Sequence, residues 1–236
     1  MPSGVDISVV LATYNEASSI LRLLSEVIEV LDRQALGYEI LLMDDASPDG
    51  TAELVRTHFA TFDRLQVLCR TGPRGLALSI REGLERARGA AVVVMDADFN
   101  HDPQVLPYLI KYLADFDLVS GSRFAPGGGM YSRTRQVGSF IMNLFIRIVL
   151  QTQIQDNLSG YFAMRRDQLD RLPKDRIFWG YGDYYFRLLS YAQGAGLRIL
   201  EIPVVYRSRE GGGSKTPLLR VLFRYAWQAV RFRVLR

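Results

Sequence analysis

The chain of 236 residues is 48% hydrophobic and 23% charged, with a formal net charge of +4. These values are ordinary for a soluble globular protein with a sizeable core, built as one large domain or two small ones. A single cysteine, Cys69, excludes a disulfide framework and fits a cytosolic chain, and two histidines without a cysteine cluster argue against a structural zinc site.

The net charge hides an asymmetry. From Arg207 onward the chain carries eight Lys/Arg (Arg207, Arg209, Lys215, Arg220, Arg224, Arg231, Arg233, Arg236) against Glu210, a balance of +7 that leaves −3 for the preceding residues. A basic tail on a mildly acidic body points to an anionic ligand or surface, and so short a tail argues against nucleic acid. The N-terminus lacks the charged start and apolar core of a signal peptide. No run reaches the ~20 apolar residues of a membrane span, and the nearest, 140–150, is interrupted by Asn143 and Arg147.

In chain order, Ile7–Leu11 reads as a short apolar strand, followed by a helix from about Ser18 to Arg33. Glu39–Met43 is a second strand, then a helix from about Ala52, with Ser47 and Asp49 as turn or cap oxygens. Leu65–Leu68 leads through Gly72-Pro73-Arg74-Gly75 into a helix ending near Arg88. Ala90–Met95, with three successive valines, is a strand buried on both faces. Four strand–helix alternations predict an α/β fold with a mostly parallel sheet and right-handed crossovers. Beyond them come a turn at His101-Asp102-Pro103, a helix to about Leu113 and a strand at Asp117–Ser120. An apolar helix at Ser139–Gln151 and a strand at Leu158–Met164 follow. A helix at Gly182–Gln193, one or two strands in 197–206, and a basic helix from Pro217 to Arg236 complete the chain. Two glycine triplets, 127–129 and 211–213, read as flexible loops.

Three strands end in polar residues: Tyr14-Asn15-Glu16, Asp44-Asp45 and Asp96-Ala97-Asp98. The carboxyl edge of a parallel sheet is where an open α/β fold binds ligands. Asp45 and Glu16 suit hydrogen bonds to a base or ribose, or the first turn of a helix. Asp96 and Asp98 suit a divalent cation that holds a diphosphate. The dinucleotide glycine fingerprint and the Walker lysine loop are both missing, so a cation carries the diphosphate charge in place of a cradle of amides.

These pieces carry a resemblance. ATYNEA, DDASPDGT, RGL at Arg74, MDADFNHDP, GSRF, DNLSGYF and SREGGGSK stand in this order between residues 7 and about 215. The chain resembles family 2 glycosyltransferases of the dolichyl- or polyprenyl-phosphate mannose synthase type. The resemblance implies a Rossmann-like GT-A fold with flanking helices and C-terminal interfacial amphipathic helices. It implies a nucleotide-sugar donor, GDP-mannose before others, a Mg²⁺ or Mn²⁺ ion, and a polyprenyl or dolichyl phosphate acceptor. By position, Ala12, Tyr14, Glu16 and Asp45, with Arg74 and Ala97, surround the donor nucleotide. Asp96 and Asp98 hold the metal, with Asn100 where the family usually has glutamine.

The implied reaction is an in-line displacement at the anomeric carbon with inversion. A phosphate acceptor is already anionic and needs no general base, but it needs cations. Arg123, Arg135, Arg209 and Lys215 are candidates, with Ser139 as a neutral donor, and the 211–213 loop suits a lid. Asp183 is either a base, as in relatives with hydroxyl acceptors, or a group that orients the acceptor-side arginines or caps its helix.

Residues 1–215 are expected to form the catalytic domain and 216–236 a basic amphipathic helix. Such helices lie in the membrane interface, so attachment is expected to be peripheral, on the cytoplasmic face of a membrane. The alternative for the apolar 139–151 helix and the tail is packing on the core or on each other, and a homo-oligomer or a membrane subunit stays open as a partner. Two other functions stand beside the main one: transfer to a sugar hydroxyl of a polysaccharide or glycolipid, and a noncatalytic membrane-docked binding module for nucleotide sugars.

Overall fold

The computed structural model describes residues 5–206 and 218–235. Arg209, Lys215 and the 211–213 loop lie outside them.

The first half is a repeating α/β unit. Strands β1 (Ile7–Thr13), β2 (Tyr38–Asp44), β3 (Leu65–Cys69) and β4 (Ala91–Asp96) alternate with helices α1 (Ile20–Asp32), α2 (Thr51–His58) and α3 (Leu76–Arg86). After a short turn come α4 (Leu106–Lys111), β5 (Leu118–Ser122), β6 (Gly129–Met130) and α5 (Arg133–Leu150). The remaining elements are β7 (Phe162–Arg165), α6 (Arg166–Leu169), α7 (Lys174–Ile177), α8 (Tyr184–Gly194), β8 (Ile199–Pro203), β9 (Val205–Tyr206) and α9 (Leu218–Leu235).

The main sheet has the order β3-β2-β1-β4-β7-β5-β8. β1 runs parallel to β2 and β4, while β7 runs antiparallel to both β4 and β5. β6 and β9 form a separate parallel ribbon. The central strands are mostly apolar because helices cover both faces, and their buried polar pair, Ser8 and Glu39, bond to each other at 2.7 Å. α1 illustrates the match of sequence to packing. It buries Ile20, Leu23, Leu24, Val27, Val30 and Leu31, the spacing of one helical stripe, and each such side chain contributes about 1.5–3 kcal/mol when removed from water.

The first four strands fall where the apolar runs predict them. Two later boundaries move. The helix expected from Ser139 begins at Arg133, because Ser132 caps it by accepting from the Arg135 amide at 3.4 Å. The strand expected from Leu158 begins at Phe162, because Asp156 Oδ1 accepts from the Leu158 amide at 3.2 Å and holds 156–158 in a turn. α5 and α9 pack on each other and on α8, with Ile146, Phe186, Ala229 and Phe232 at the seam. Their outer faces leave Ile141, Ile148, Phe223 and Trp227 exposed.

Candidate active site

The three predicted strand ends meet at one edge. In register, Thr13 lies beside Asp44 and Ala12 beside Asp96. Just beyond, Asn15, Ala46 and Phe99 hold φ values of 58°, 53° and 65°. Non-glycine residues in this left-handed region cost energy, and such strain concentrates at functional sites.

DDASPDGT acts on ATYNEA as a clasp. Ser47 Oγ accepts from the Asn15 amide at 3.0 Å, Thr51 Oγ1 from Glu16 at 3.1 Å, and Asp49 Oδ2 from Ala17 at 3.0 Å. Asp49 also accepts from the Thr51 amide at 3.0 Å. Burial pushes the Asp49 carboxyl up, but the bonds from Thr51 and Ala17 outweigh it and hold the group below the usual carboxylate range. Asp44 anchors the turn by accepting from the Ser47 amide at 2.8 Å. The motif therefore fixes the loop that carries Tyr14 and Glu16. The buried Oδ1 of Asn15 in that loop has no hydrogen-bond partner among the described residues.

Asp45 is buried and already engaged. One oxygen pairs with Arg70, and the other accepts from the Gly75 amide at 2.9 Å. Arg70 also donates to Ser79 at 3.1 Å and to Glu82 at 2.9 Å. Asp45, expected at a base or ribose, thus also fixes the 72–75 loop. Arg74 on that loop lies over the Tyr14 ring at 3.5 Å, a cation–π contact at the crevice.

The turn after β4 presents Asp96 with its side chain 39% exposed, while Ala97 and Asp98 are buried. Asn100 faces Asp98, its amide nitrogen donating to Oδ2 at 2.9 Å and its backbone amide to Oδ1 at 3.0 Å. Asn100 therefore braces Asp98 through its NH₂ group, where the resemblance implies a carbonyl ligand. Behind the turn, fully buried His101 accepts from the Asp96 amide at Nδ1, 2.8 Å. Its Nε2 lies 2.6 Å from the Tyr206 hydroxyl and 3.7 Å from Asp96 Oδ2. Burial lowers its pKa to about 4, against the opposing pull of Asp98, so the ring is neutral at pH 7.

The acceptor-side candidates separate. Arg123 is buried and grips Asp156 with Nε and Nη2, each at 2.7 Å, while its amide donates to the same carboxylate at 2.9 Å. Burial works against the charged guanidinium, but Asp156 outweighs it and raises its pKa. Arg135 is exposed and Ser139 half-buried on α5. Asn143 on the same helix donates to the Ser139 carbonyl at 3.0 Å and accepts from the Asn157 amide at 2.6 Å. Asp183 is fully buried. It accepts from Arg187 at 2.5 Å and from the Tyr181 amide at 2.8 Å. The arginine it holds is Arg187, which is none of the acceptor-side candidates, and its side chain does not cap α8.

Sequence reasoning missed four residues. Arg70, Asp156, His101 and Tyr206 are polar and buried beside the named motifs. A local signal was present for His101, which follows the Asp96–Asp98 pair within five residues, whereas Arg70 and Asp156 lie 25 and 33 positions from their partners. Tyr206 is the most remote, 105 residues from His101.

An open sheet with its crevice at the carboxyl edge and two carboxylates at the central strand tip is the GT-A class of fold. Glucosyl-3-phosphoglycerate synthase from Mycobacterium tuberculosis, solved with Mn²⁺, UDP and glucosyl-3-phosphoglycerate, aligns with a TM-score of 0.70 at 23% identity, covering 98% of this chain and 79% of that one. The family model for glycosyl transferase family 2 matches residues 8–172, and the chain belongs to this family. Undecaprenyl-phosphate mannosyltransferase of Micrococcus luteus is 37% identical over 216 residues, 87% of this chain and 85% of that protein. Polyprenol monophosphomannose synthase of Mycolicibacterium smegmatis is 32% identical over 236 residues, 96% and 88% of the two chains. Dolichol-phosphate mannosyltransferase of Pyrococcus furiosus is 32% identical over 219 residues, but this chain spans 58% of its length.

Proposed function

We propose that the chain transfers mannose, with inversion, from GDP-mannose to a polyprenyl phosphate at the cytoplasmic surface of a membrane. The observation that carries this reading is the similarity, along most of the chain, to relatives named for mannosyl transfer to polyprenyl phosphates.

The donor set fits a hard divalent cation. Asp96 and Asp98 offer carboxylate oxygens, suited to Mg²⁺ or Mn²⁺. Among the described residues no group of three His, Cys, Asp or Glu side chains could hold a metal, so the donor's diphosphate and water must complete the shell. Asn100 joins only by turning its carbonyl toward the ion. When bound, such an ion supplies the positive charge that a departing nucleoside diphosphate needs.

The chain's own residues do the remaining work. Tyr14 and Arg74 form a flat cationic wall for the nucleoside, and the orphan Asn15 Oδ1 accepts one of its donors. Ala12, Glu16 and Asp45 shape the floor, and Ala97 lets the donor approach the strand tip. Arg135, Arg209 and Lys215 present the acceptor phosphate, with Ser139 as a neutral donor. Arg123, its charge balanced by Asp156 and its Nη1 3.8 Å from Met130 Sδ, stands behind them on the acceptor side. No base is required, because the attacking oxygen already carries charge. Buried, paired Asp183 speaks against transfer to a sugar hydroxyl with Asp183 as the base. The rate then comes from positioning and fixed charge.

No described helix is long and apolar enough to cross a membrane. The outer faces of α5 and α9, with the basic tail, suit an interfacial contact. Residues 1–215 form the catalytic unit in this reading, and 216–236 the basic segment that contains α9.

The test incubates the protein with Mn²⁺, labelled GDP-mannose and undecaprenyl phosphate in vesicles. Labelled lipid is expected, and Asp98→Asn should lower its formation at least about 100-fold. Failure of the wild type with every common nucleotide sugar would overturn the proposal.

A further inference from the structure

The imidazole of His101 is fully buried and plays no part in the chemistry above, yet every polar atom on it is committed. β7 leaves β4 at the Val94–Phe162 pair, and Gly160 turns the chain away with φ +78°. The Asp96 amide lies beyond the last β4–β7 pair, and His101 Nδ1 takes it at 2.8 Å. An acceptor nitrogen carries no proton, so the ring proton sits on Nε2 and is donated to the Tyr206 oxygen at 2.6 Å. Tyr206 in turn donates to the Ser159 carbonyl at 2.7 Å. A hydroxyl whose hydrogen is spent on a carbonyl can only accept from the histidine, which fixes the tautomer. Tyr161 stacks on the imidazole at 4.6 Å with planes 7° apart, so the ring does not rotate. Tyr206 belongs to the ribbon that leads into α5: its carbonyl accepts from the Tyr131 amide at 3.1 Å.

We propose that His101 is a positioning residue: Tyr206 and Ser159 set its tautomer, its Nδ1 holds the Asp96 amide, and the carboxylate turn is thereby tied to the ribbon that launches α5. This rests on the reading of Asp96 and Asp98 as the cation site. It assigns one task to pieces of MDADFNHDP, DNLSGYF and β9 that are far apart in the chain.

Two substitutions separate the bonds. In His101→Asn the side-chain oxygen lies where Nδ1 was, so the Asp96 amide keeps an acceptor. In His101→Gln the amide group lies where Nε2 was, so Tyr206 keeps a partner and Asp96 loses one. Both remove the stacked ring. Affinity for Mn²⁺ in the presence of GDP is measured by titration calorimetry on the full chain. Exchange of the Asp96 amide is followed by NMR without metal, and thermal melting checks that each variant folds. His101→Asn is expected to stay within about threefold of the wild type, and His101→Gln to weaken about tenfold with faster exchange at Asp96. Nitrogen NMR should show the Nε2–H tautomer in the wild type and a mixture in Tyr206→Phe, which deletes only a hydroxyl.

Equal losses in the two His101 variants would mean that the ring merely fills space, and an Nδ1–H tautomer in the wild type would break the chain of bonds. Either result overturns the proposal. If the wild type binds neither Mn²⁺–GDP nor Mn²⁺–UDP while exchange and tautomer behave as expected, the proposed function falls and the positioning of the turn stands.

Discussion

Asp156→Asn removes the counter-charge from a guanidinium whose side chain is only 7% exposed. The carboxylate makes three bonds to Arg123 within 2.9 Å, and the new NH₂ group would point a donor at a donor. Removing one partner of a buried ion pair costs about 3–5 kcal/mol, because the remaining charge stays buried. At about 2–4 °C per kcal/mol for a chain of this size, the melting temperature should fall by about 10 °C. Urea unfolding of the wild type, Asp156→Asn, Arg123→Met and the Arg123→Met/Asp156→Leu double variant measures the pair. Each single change should cost several kcal/mol. The double variant leaves no buried charge, though the Arg123 and Leu158 amides lose their acceptor, and it should cost less than the sum of the two single changes by about 1–4 kcal/mol. A shift below about 1 kcal/mol for Asp156→Asn would refute the reasoning. It would mean that Arg123 is solvated and free to meet a ligand phosphate on its own.

Three further outcomes follow from the same contacts. Gly83→Ala should destabilise by about 1–3 kcal/mol in thermal melting, since the new Cβ would lie 2.5 Å from Val10 Cγ1 and 3.0 Å from Met43 Cγ. Glu39 is buried, which pushes its carboxyl up, but bonds from Ser8 at 2.7 Å and from the Arg88 amide at 2.7 Å outweigh burial and lower its pKa. A depressed folded value means that its stabilisation is full above the unfolded value of about 4.3 and is lost as pH falls through the lower folded value. Glu39→Gln should therefore weaken the fold by about 1.5–3 kcal/mol at pH 7 and flatten the acid limb of stability below pH ~4.3; an unchanged acid limb would contradict this. Ile141→Ser with Ile148→Ser changes side chains that are 60% and 69% exposed. Stability in urea should stay within about 0.5 kcal/mol, while sedimentation with anionic vesicles should fall.

The chain order of residues determined the sheet. Short runs rich in valine, isoleucine and leucine, bounded by turn residues, read as strands, and the helical stripes between them as parallel crossovers, so β1 to β4 and their polar ends were legible one segment at a time. The paired carboxylates were legible for the same reason, since they follow a strand directly. What tertiary structure decided is which polar groups neutralise one another. Asp45 with Arg70 and Arg123 with Asp156 are pairs whose members lie 25 and 33 positions apart, and His101 meets Tyr206 across 105. A charge read alone in a sequence looks available to a ligand. Inside a low-dielectric core it stays charged only beside its opposite, and that neighbour is chosen by the packing of strands, not by the order of the chain.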